Sequence, residues 1–328
     1  MKMHREPTIA VVGEKWPGDH RMLLVPDHVS LLSEAGCRVL VESGAGTGIG
    51  IQDSEYEAAG ATLHDTGYCY GNAHLVVKYK SPHPTEYRYL RPGSRIACFV
   101  YLEHDREMTE TFCEKQVDIY GLTYFRTPDG FFPLPVSDNE LTGKMAVIYG
   151  AYFLQSHLGG RGVYLGHAPG AANPRVLVIG YGKSGGAAAR TALALGADVT
   201  VLGTSAERLR LFEGTLDRPV RALVNTPENL RQELKEADLV VGAILDSTVD
   251  TPAMIDRSML SCMRKGSVII DVTCGYGAGY LPTFHSFTSH ENPSYEVDGV
   301  IHIKIDRLPS TVPVTASAAT GQSAYLTC

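Results

Sequence analysis

One stretch, VLVIGYGKSGGAAARTALALGADVTVL, constrains the fold more than any other. An apolar run that reads as a strand leads into Gly180-x-Gly182-x-x-Gly185; an alanine-rich helix follows, and then a second strand, DVTVL. The first glycine permits a tight turn, the second lets the backbone approach a pyrophosphate, and the third allows close packing of helix on strand. The helix N-terminus faces the phosphate charge. A bare GxGxxG says little, but in its strand–turn–helix setting it predicts a dinucleotide-binding unit. An Asp or Glu at the end of the second strand would hold the adenosine ribose hydroxyls. Gly203 stands there instead, followed by Thr204, Ser205 and, a turn on, Arg208 and Arg210. Without a carboxylate to repel a 2′-phosphate, and with hydroxyls and guanidinium groups nearby, the expectation is NADP(H), with NAD(H) as the alternative. The plainer reading of these arginines is a solvated helix face.

One such unit cannot occupy 328 residues, so two domains are expected. The N-terminal part alternates strand patterns (TIAVVGE, CRVLVES, AHLVVKYKSP, SRIACFVYL, VDIYGLTYF) with helical ones (PDHVSLLSEAG, and DSEYEAAGA with Asp53 as N-cap). Such alternation predicts an α/β fold, a parallel sheet with helices on its faces. The glycine-rich GAGTGIG reads as a turn before the second of those helices. TPDGFFPLPVSDN breaks the pattern, and ELTGKMAVIYGAYFLQSHL reads as a long helix joining two domains. A second α/β series runs from PRVLVIGYGKSGG to GSVIIDVTCG. Its strands ADLVVGAIL and GSVIIDVTCGYG end on small residues, at the strand ends where open sheets bind ligands. The flat backbone from Gly242 through Ala243, Ile244 and Leu245 could line the nicotinamide; ordinary core strands with tight loops are an equally good reading of these residues alone.

Composition narrows the function classes. The net charge is −7 with no basic block, which argues against a nucleic-acid partner. No apolar run has the length of a membrane span, and MKMHREPTIAVVGE lacks a signal-peptide core, so no membrane association and a cytoplasmic location are expected. The seven cysteines are odd in number, scattered and without a CxxC pair, which suggests neither a disulfide framework nor a zinc site.

The segment PLPVSDNELTGKMAVIYGAYFLQSHLGGRGVYLGHAPGAANPRVLVIGYGKSGG resembles the alanine dehydrogenase and transhydrogenase α-subunit superfamily, which includes saccharopine dehydrogenase and carboxyethylornithine synthase. ADLVVGAIL, KGSVIIDVT, HRMLLVPDHV and ESGAGTGIGIQDSEYEAAGA fit the same pattern, in order along nearly the whole chain. The resemblance implies two Rossmann-like domains with parallel sheets. A substrate domain at 1–135, completed by 313–328, would enclose a dinucleotide-binding domain at 136–312. It implies a homo-oligomer and an amino acid or 2-keto acid substrate, bound by Arg21 in HRMLLVP and Lys80 in LVVKYKSP. A guanidinium can hold a carboxylate through two parallel hydrogen bonds, and an ammonium can polarise a carbonyl or imine as hydride arrives. Arg307, in IKIDRLPSTVPVTAS, is placed with the cofactor-binding residues. That segment resembles the saccharopine dehydrogenases more than the alanine dehydrogenases. The sequence stops at GQSAYLTC, short of the helices typical of alanine dehydrogenases, so a trimmed or more open substrate domain is expected.

The pattern also departs from the alanine dehydrogenases. Counted without gaps from Lys80, their catalytic His position holds Tyr101, while Glu103 and His104 follow two and three residues later. Read as a strand, Tyr101 and Glu103 share a face and His104 points away. The family's Asp, four residues after the strand-end Asp271, is Gly275. Tyr101 is the leading candidate to move a proton: a free phenol titrates near pH ~10, and the Lys80 ammonium would favour its ionised form. His104 is a further candidate. Three readings follow. The first is a NAD(P)H-dependent oxidoreductase acting at the C–N bond of an amino acid, forming or cleaving a secondary amine or reducing an imine in the saccharopine or opine manner. The second is a divergent alanine-type dehydrogenase working by oxidative deamination. The third is a non-catalytic dinucleotide binder of transhydrogenase type.

Overall fold

The computed structural model describes residues 6–244, 255–273 and 287–325, with only the backbone described for His104 and for 322–325. Leu245 and Gly275 lie outside the described residues. The chain divides into two compact units, Met1–Asp138 with Pro309–Cys328, and Asn139–Leu308.

The first unit is built on six parallel strands, β1 (Thr8–Val11), β2 (Arg38–Glu42), β3 (Thr62–His64), β4 (Leu75–Lys80), β5 (Arg95–Phe99) and β6 (Asp118–Gly121), in the order β3-β2-β1-β4-β5-β6. Parallel strands covered on both faces need apolar residues at successive positions, and Val39–Val41 and Ile96–Phe99 supply them, all buried. Ala10, Leu40, Val76, Ile96 and Cys98 pack on one face; Val11, Val39 and Val41, with Val77 and Phe99, pack on the other. The helix Pro313–Tyr325 belongs to this unit. Ser317 Oγ accepts the Met22 N–H at 2.9 Å, and the Thr320 hydroxyl lies 2.7 Å from the Tyr79 hydroxyl.

Two local expectations fail here. β5 stops at Phe99, and Leu102–His104 form a short 3-10 turn, so the face argument for Tyr101, Glu103 and His104 does not apply. The cause is visible in the backbone: the Val100 N–H goes to Thr123 Oγ1 and the Leu102 N–H to the Tyr124 hydroxyl, not to a neighbouring strand. Asp53 is not an N-cap. It is the first residue of the helix Asp53–Ala58, and its carboxylate accepts the Gly44 N–H at 2.8 Å, which ties down the preceding turn.

The second unit contains β7 (Arg175–Ile179), β8 (Asp198–Gly203), β9 (Arg221–Val224), β10 (Leu239–Gly242), β11 (Val268–Asp271), β12 (Tyr295–Val297) and β13 (Val300–Ile303), in the order β12-β13-β11-β10-β7-β8-β9. All neighbours are parallel except β12 and β13. The long helix runs Val136–Phe153, starting four residues before the sequence pattern suggested. Leu177, Ile179, Leu202, Leu230, Val240 and Ile269 form the main core of this unit.

Candidate active site

Each sheet reverses its winding direction once, between β1 and β4 in the first unit and between β7 and β10 in the second. In open α/β sheets, ligands bind at the carboxyl ends of the strands flanking such a point.

In the second unit that place is the glycine turn. Gly180 has φ +99°, and a Cβ on it would stand 2.3 Å from the Ala243 carbonyl oxygen. A Cβ on Gly185 would stand 2.1 Å from the Gly180 carbonyl oxygen, so helix and turn touch only because that position is glycine. Gly182 differs: a Cβ there would meet no described atom within 4 Å. It is the N-cap of the helix Lys183–Leu195, with open space beside the first helical N–H groups. The turn thus fits a pyrophosphate, held by backbone donors and by the helix dipole. Ala243 and Ile244 follow β10 directly, and the Ala243 N–H bonds the Ile179 carbonyl at 2.8 Å.

The ribose end is arranged differently from the sequence expectation. A Cβ on Gly203 would stand 2.1 Å from Tyr181 Cε1, because the Tyr181 ring lies over this strand end, 5.9 Å from the Phe212 ring. Ser205 Oγ accepts the Arg208 N–H as the cap of the helix Ala206–Glu213. The Thr204 and Arg208 side chains are exposed. Arg307 is partly buried beside Asp306. Sequence reasoning missed a buried pair at the ends of β11 and β13, where Lys304 Nζ sits 2.5 Å from Asp271 Oδ2.

In the first unit the reversal point holds charge. Arg21 is 1% exposed. Its Nε and Nη2 donate to the two Asp19 oxygens at 2.9 and 2.6 Å, and its Nη1 donates to Asp138 Oδ1 at 2.9 Å. It also stacks over the Tyr79 ring at 4.1 Å. Burial would pull the guanidinium down, but Asp138 and Asp19 outweigh it and keep it charged. The two-toothed edge proposed for a substrate carboxylate is therefore already on Asp19, leaving a ligand only the guanidinium's remaining N–H groups.

Lys78 is also buried, in the middle of an apolar strand. Its ammonium donates to both Glu86 oxygens at 2.8 and 2.9 Å and to the Gly13 carbonyl at 3.1 Å. Burial opposes its charge, yet Glu14 and Glu86 leave its pKa above the ordinary value. Lys80, two residues on and half-buried, is unlike it. Among the described residues its ammonium makes no hydrogen bond or ion pair, and it lies 5.9 Å from the centroid of the Tyr101 ring. The structure brings Lys80 and Tyr101 together; the His104 side chain lies outside what is described. Trp16 Nε1 donates to the Ser81 carbonyl at 2.9 Å, fixing the chain just past Lys80. Glu14 and Glu86 had no sequence signal of their own. Lys78 did, since a lysine inside a strand buried on both faces needs carboxylate partners.

Residues 10–130 match the family described as alanine dehydrogenase/PNT, N-terminal domain, and residues 146–326 match alanine dehydrogenase/PNT, C-terminal domain. The chain belongs to the alanine dehydrogenase/PNT family. The class of nicotinamide-dinucleotide-dependent oxidoreductases comes with that membership. The chain is 35% identical over 312 residues to the alanine dehydrogenase of Bacillus subtilis (strain 168), covering 95% of this chain and 82% of that one. A solved L-alanine dehydrogenase superposes with a TM-score of 0.89 at 34% identity, over 97% of this chain and 88% of the other. A transhydrogenase from Sinorhizobium meliloti shares the fold, with a TM-score of 0.78 at 22% identity, over 97% of this chain and 93% of that one. No helix among the described residues is long and apolar enough to cross a membrane.

Proposed function

We propose that this family member is an amino-acid dehydrogenase of the alanine type, interconverting a small 2-amino acid with its 2-keto acid and ammonia. The observation that carries this reading is the Lys80 ammonium at the carboxyl end of β4, without an ion pair among the described residues and beside Tyr101, with Arg21 held by two carboxylates against the Tyr79 ring of the same strand. A non-catalytic dinucleotide binder has no use for such an ammonium. The alanine dehydrogenase relatives favour oxidative deamination over the secondary-amine chemistry that the 303–317 segment suggested.

The bound dinucleotide supplies or accepts the hydride. Lys80 donates from its ammonium to the substrate's 2-oxo oxygen or carboxylate, favouring electron flow onto the reacting carbon. Arg21 adds positive charge and a remaining N–H for the carboxylate. Tyr101, within reach of the Lys80 charge, is the group placed to pass a proton to the nitrogen or oxygen on that carbon. The glycine turn, with Ala243 and Ile244, holds the cofactor. For the ribose end we propose no built-in preference for a 2′-phosphate, since Ser205 is already spent on the helix cap and Thr204 and Arg208 stand in solvent. Expected NADP(H) selectivity therefore rests on the missing carboxylate alone.

The test is oxidation of NADH and of NADPH with a panel of 2-keto acids, each supplied with ammonia and then with lysine, ornithine or arginine. Turnover with ammonia supports the reading. Turnover only with an amino-acid amine would replace it by reductive secondary-amine formation, the chemistry that the 303–317 segment suggested.

A further inference from the structure

Glu14 follows β1, and its side chain is 0% exposed. β1 ends at Val11, and among the described residues the main-chain bonding on that side ends with the Val12 N–H on the Val77 carbonyl at 3.2 Å. Glu14 takes its place: Oε1 accepts the Lys80 backbone N–H at 2.9 Å. On the other side the pairing of β4 with β5 shifts register between Val77 and Lys80. After that shift Lys80 pairs with Phe99, so its backbone is held by the ladder on the β5 side and by the Glu14 side chain on the β1 side.

The charges around Glu14 are already matched, apart from its own. The Asp19 carboxylate is taken by Arg21, and the Glu86 carboxylate by Lys78. Lys78 Nζ is 3.9 Å from Glu14 Oε2, and that oxygen has no hydrogen-bond partner among the described residues. Among the described residues, the Cys98 thiol and the Tyr70 hydroxyl are the other titratable groups facing it. Burial, only partly offset by Lys78, pushes the Glu14 carboxyl up to about 7, so it gains and loses its proton near neutrality. Among the described residues, Lys80 is a nearby cation that no carboxylate pairs with.

We propose that Glu14 is a positioning residue for Lys80: it anchors the strand end that carries the ammonium, and its ionisation sets how strongly that ammonium attracts an anionic substrate. This rests on Lys80 being the substrate-binding group. With Glu14 neutral, the Lys80 charge acts unopposed on a keto acid. With Glu14 ionised, a negative charge 2.9 Å from the Lys80 backbone nitrogen weakens that attraction.

The experiment measures kcat and KM for pyruvate, at saturating dinucleotide and ammonia, from pH 6 to 8.5. It compares wild type, Glu14→Gln, Glu14→Ala and Lys80→Ala, with dinucleotide binding and melting temperature as controls. Glu14→Gln keeps an acceptor oxygen for the Lys80 N–H and cannot ionise. The ratio of wild-type KM to Glu14→Gln KM should be near one at pH 6 and rise to about five to ten at pH 8.5, with kcat within about twofold. Glu14→Ala, lacking the anchor, should lose about tenfold or more in kcat at every pH, while Glu14→Gln stays close to wild type. A KM ratio that does not change with pH, or wild-type kcat/KM in Glu14→Ala, overturns the proposal. If Lys80→Ala turns over like wild type, the reading of the site falls and this proposal with it. If Lys80→Ala is dead but the Glu14→Gln ratio is flat, the site reading stands and the role of Glu14 alone is wrong.

Discussion

The two units wind their six principal parallel strands in the same order, yet equip the reversal point in opposite ways. In the second unit it is stripped of side chains: three glycines and a helix N-terminus leave backbone N–H groups facing open space at Gly182. In the first it is crowded with ionisable groups, namely Glu14, Arg21, Lys78, Lys80 and Glu86. The ligands proposed for the two units account for the difference. A pyrophosphate is large, doubly charged and satisfied by any set of aligned N–H donors. A small amino or keto acid offers few atoms, so it needs specific charges at fixed points, and those charges need counter-charges to survive burial.

The comparison is tested most severely by Lys80→Ala. Turnover should fall by about 10³-fold while the dinucleotide dissociation constant stays unchanged; stopped-flow fluorescence of bound NADH alongside steady-state rates checks both halves. A loss of dinucleotide binding would mean that the two sites are not separable by residue.

Next in size is the stability cost of the buried charge. The Glu14 carboxyl titrates near 4.5 in the unfolded chain and near 7 in the folded one, so the folded state keeps this proton where the unfolded state has lost it. The contribution to stability is full below pH 4.5, declines as pH rises, and is gone above pH 7, a span of about 3 kcal/mol. Urea denaturation at pH 5 and pH 8.5 should show Glu14→Gln losing less stability than wild type between the two. An identical decline in both would mean that the burial of Glu14 is not costing the fold anything.

Glycine substitutions probe the other side of the comparison. Gly182→Ala adds a methyl to open space, so the melting temperature should hold while dinucleotide binding weakens by about tenfold, or about 1.4 kcal/mol. Gly185→Ala drives a methyl into the Gly180 carbonyl and should lower the melting temperature itself. Isothermal titration with parallel thermal melts separates the two. The smallest effect is at the ribose end. Gly203→Asp must displace the Tyr181 ring, so it should shift the NADH-to-NADPH activity ratio by only about a few-fold unless Tyr181→Ala is made with it.

The second unit's site was legible because its chemistry is backbone chemistry, and a glycine pattern is written directly in sequence. The core strands of both sheets were legible too, as near-continuous apolar runs. The first unit's candidate site was legible only at Arg21, Lys80 and Tyr101, through resemblance. Its counter-charges come from Glu14, Asp19, Glu86 and Asp138, scattered over more than a hundred positions and joined only by the fold. β5 was read too long because Val100 and Tyr101 continue its apolar run, whereas the strand ends where Thr123 captures the Val100 N–H. Tyr181 over Gly203 was invisible for a similar reason: a ring's direction is set by tertiary packing against Phe212, not by its place in GYG.

Ser317 and Thr320, which bond Met22 and Tyr79, lie beyond the whole of the second unit in the chain. On the ribosome, the sheet that carries Lys80 emerges first but waits for about 170 further residues before its closing helix exists. At ordinary rates of synthesis that is roughly 10–30 s. The whole of Asn139–Leu308 is synthesised while the first unit still lacks that helix. A chain shortened to end at residue 308 should therefore leave the first unit more open to proteases than the full chain does.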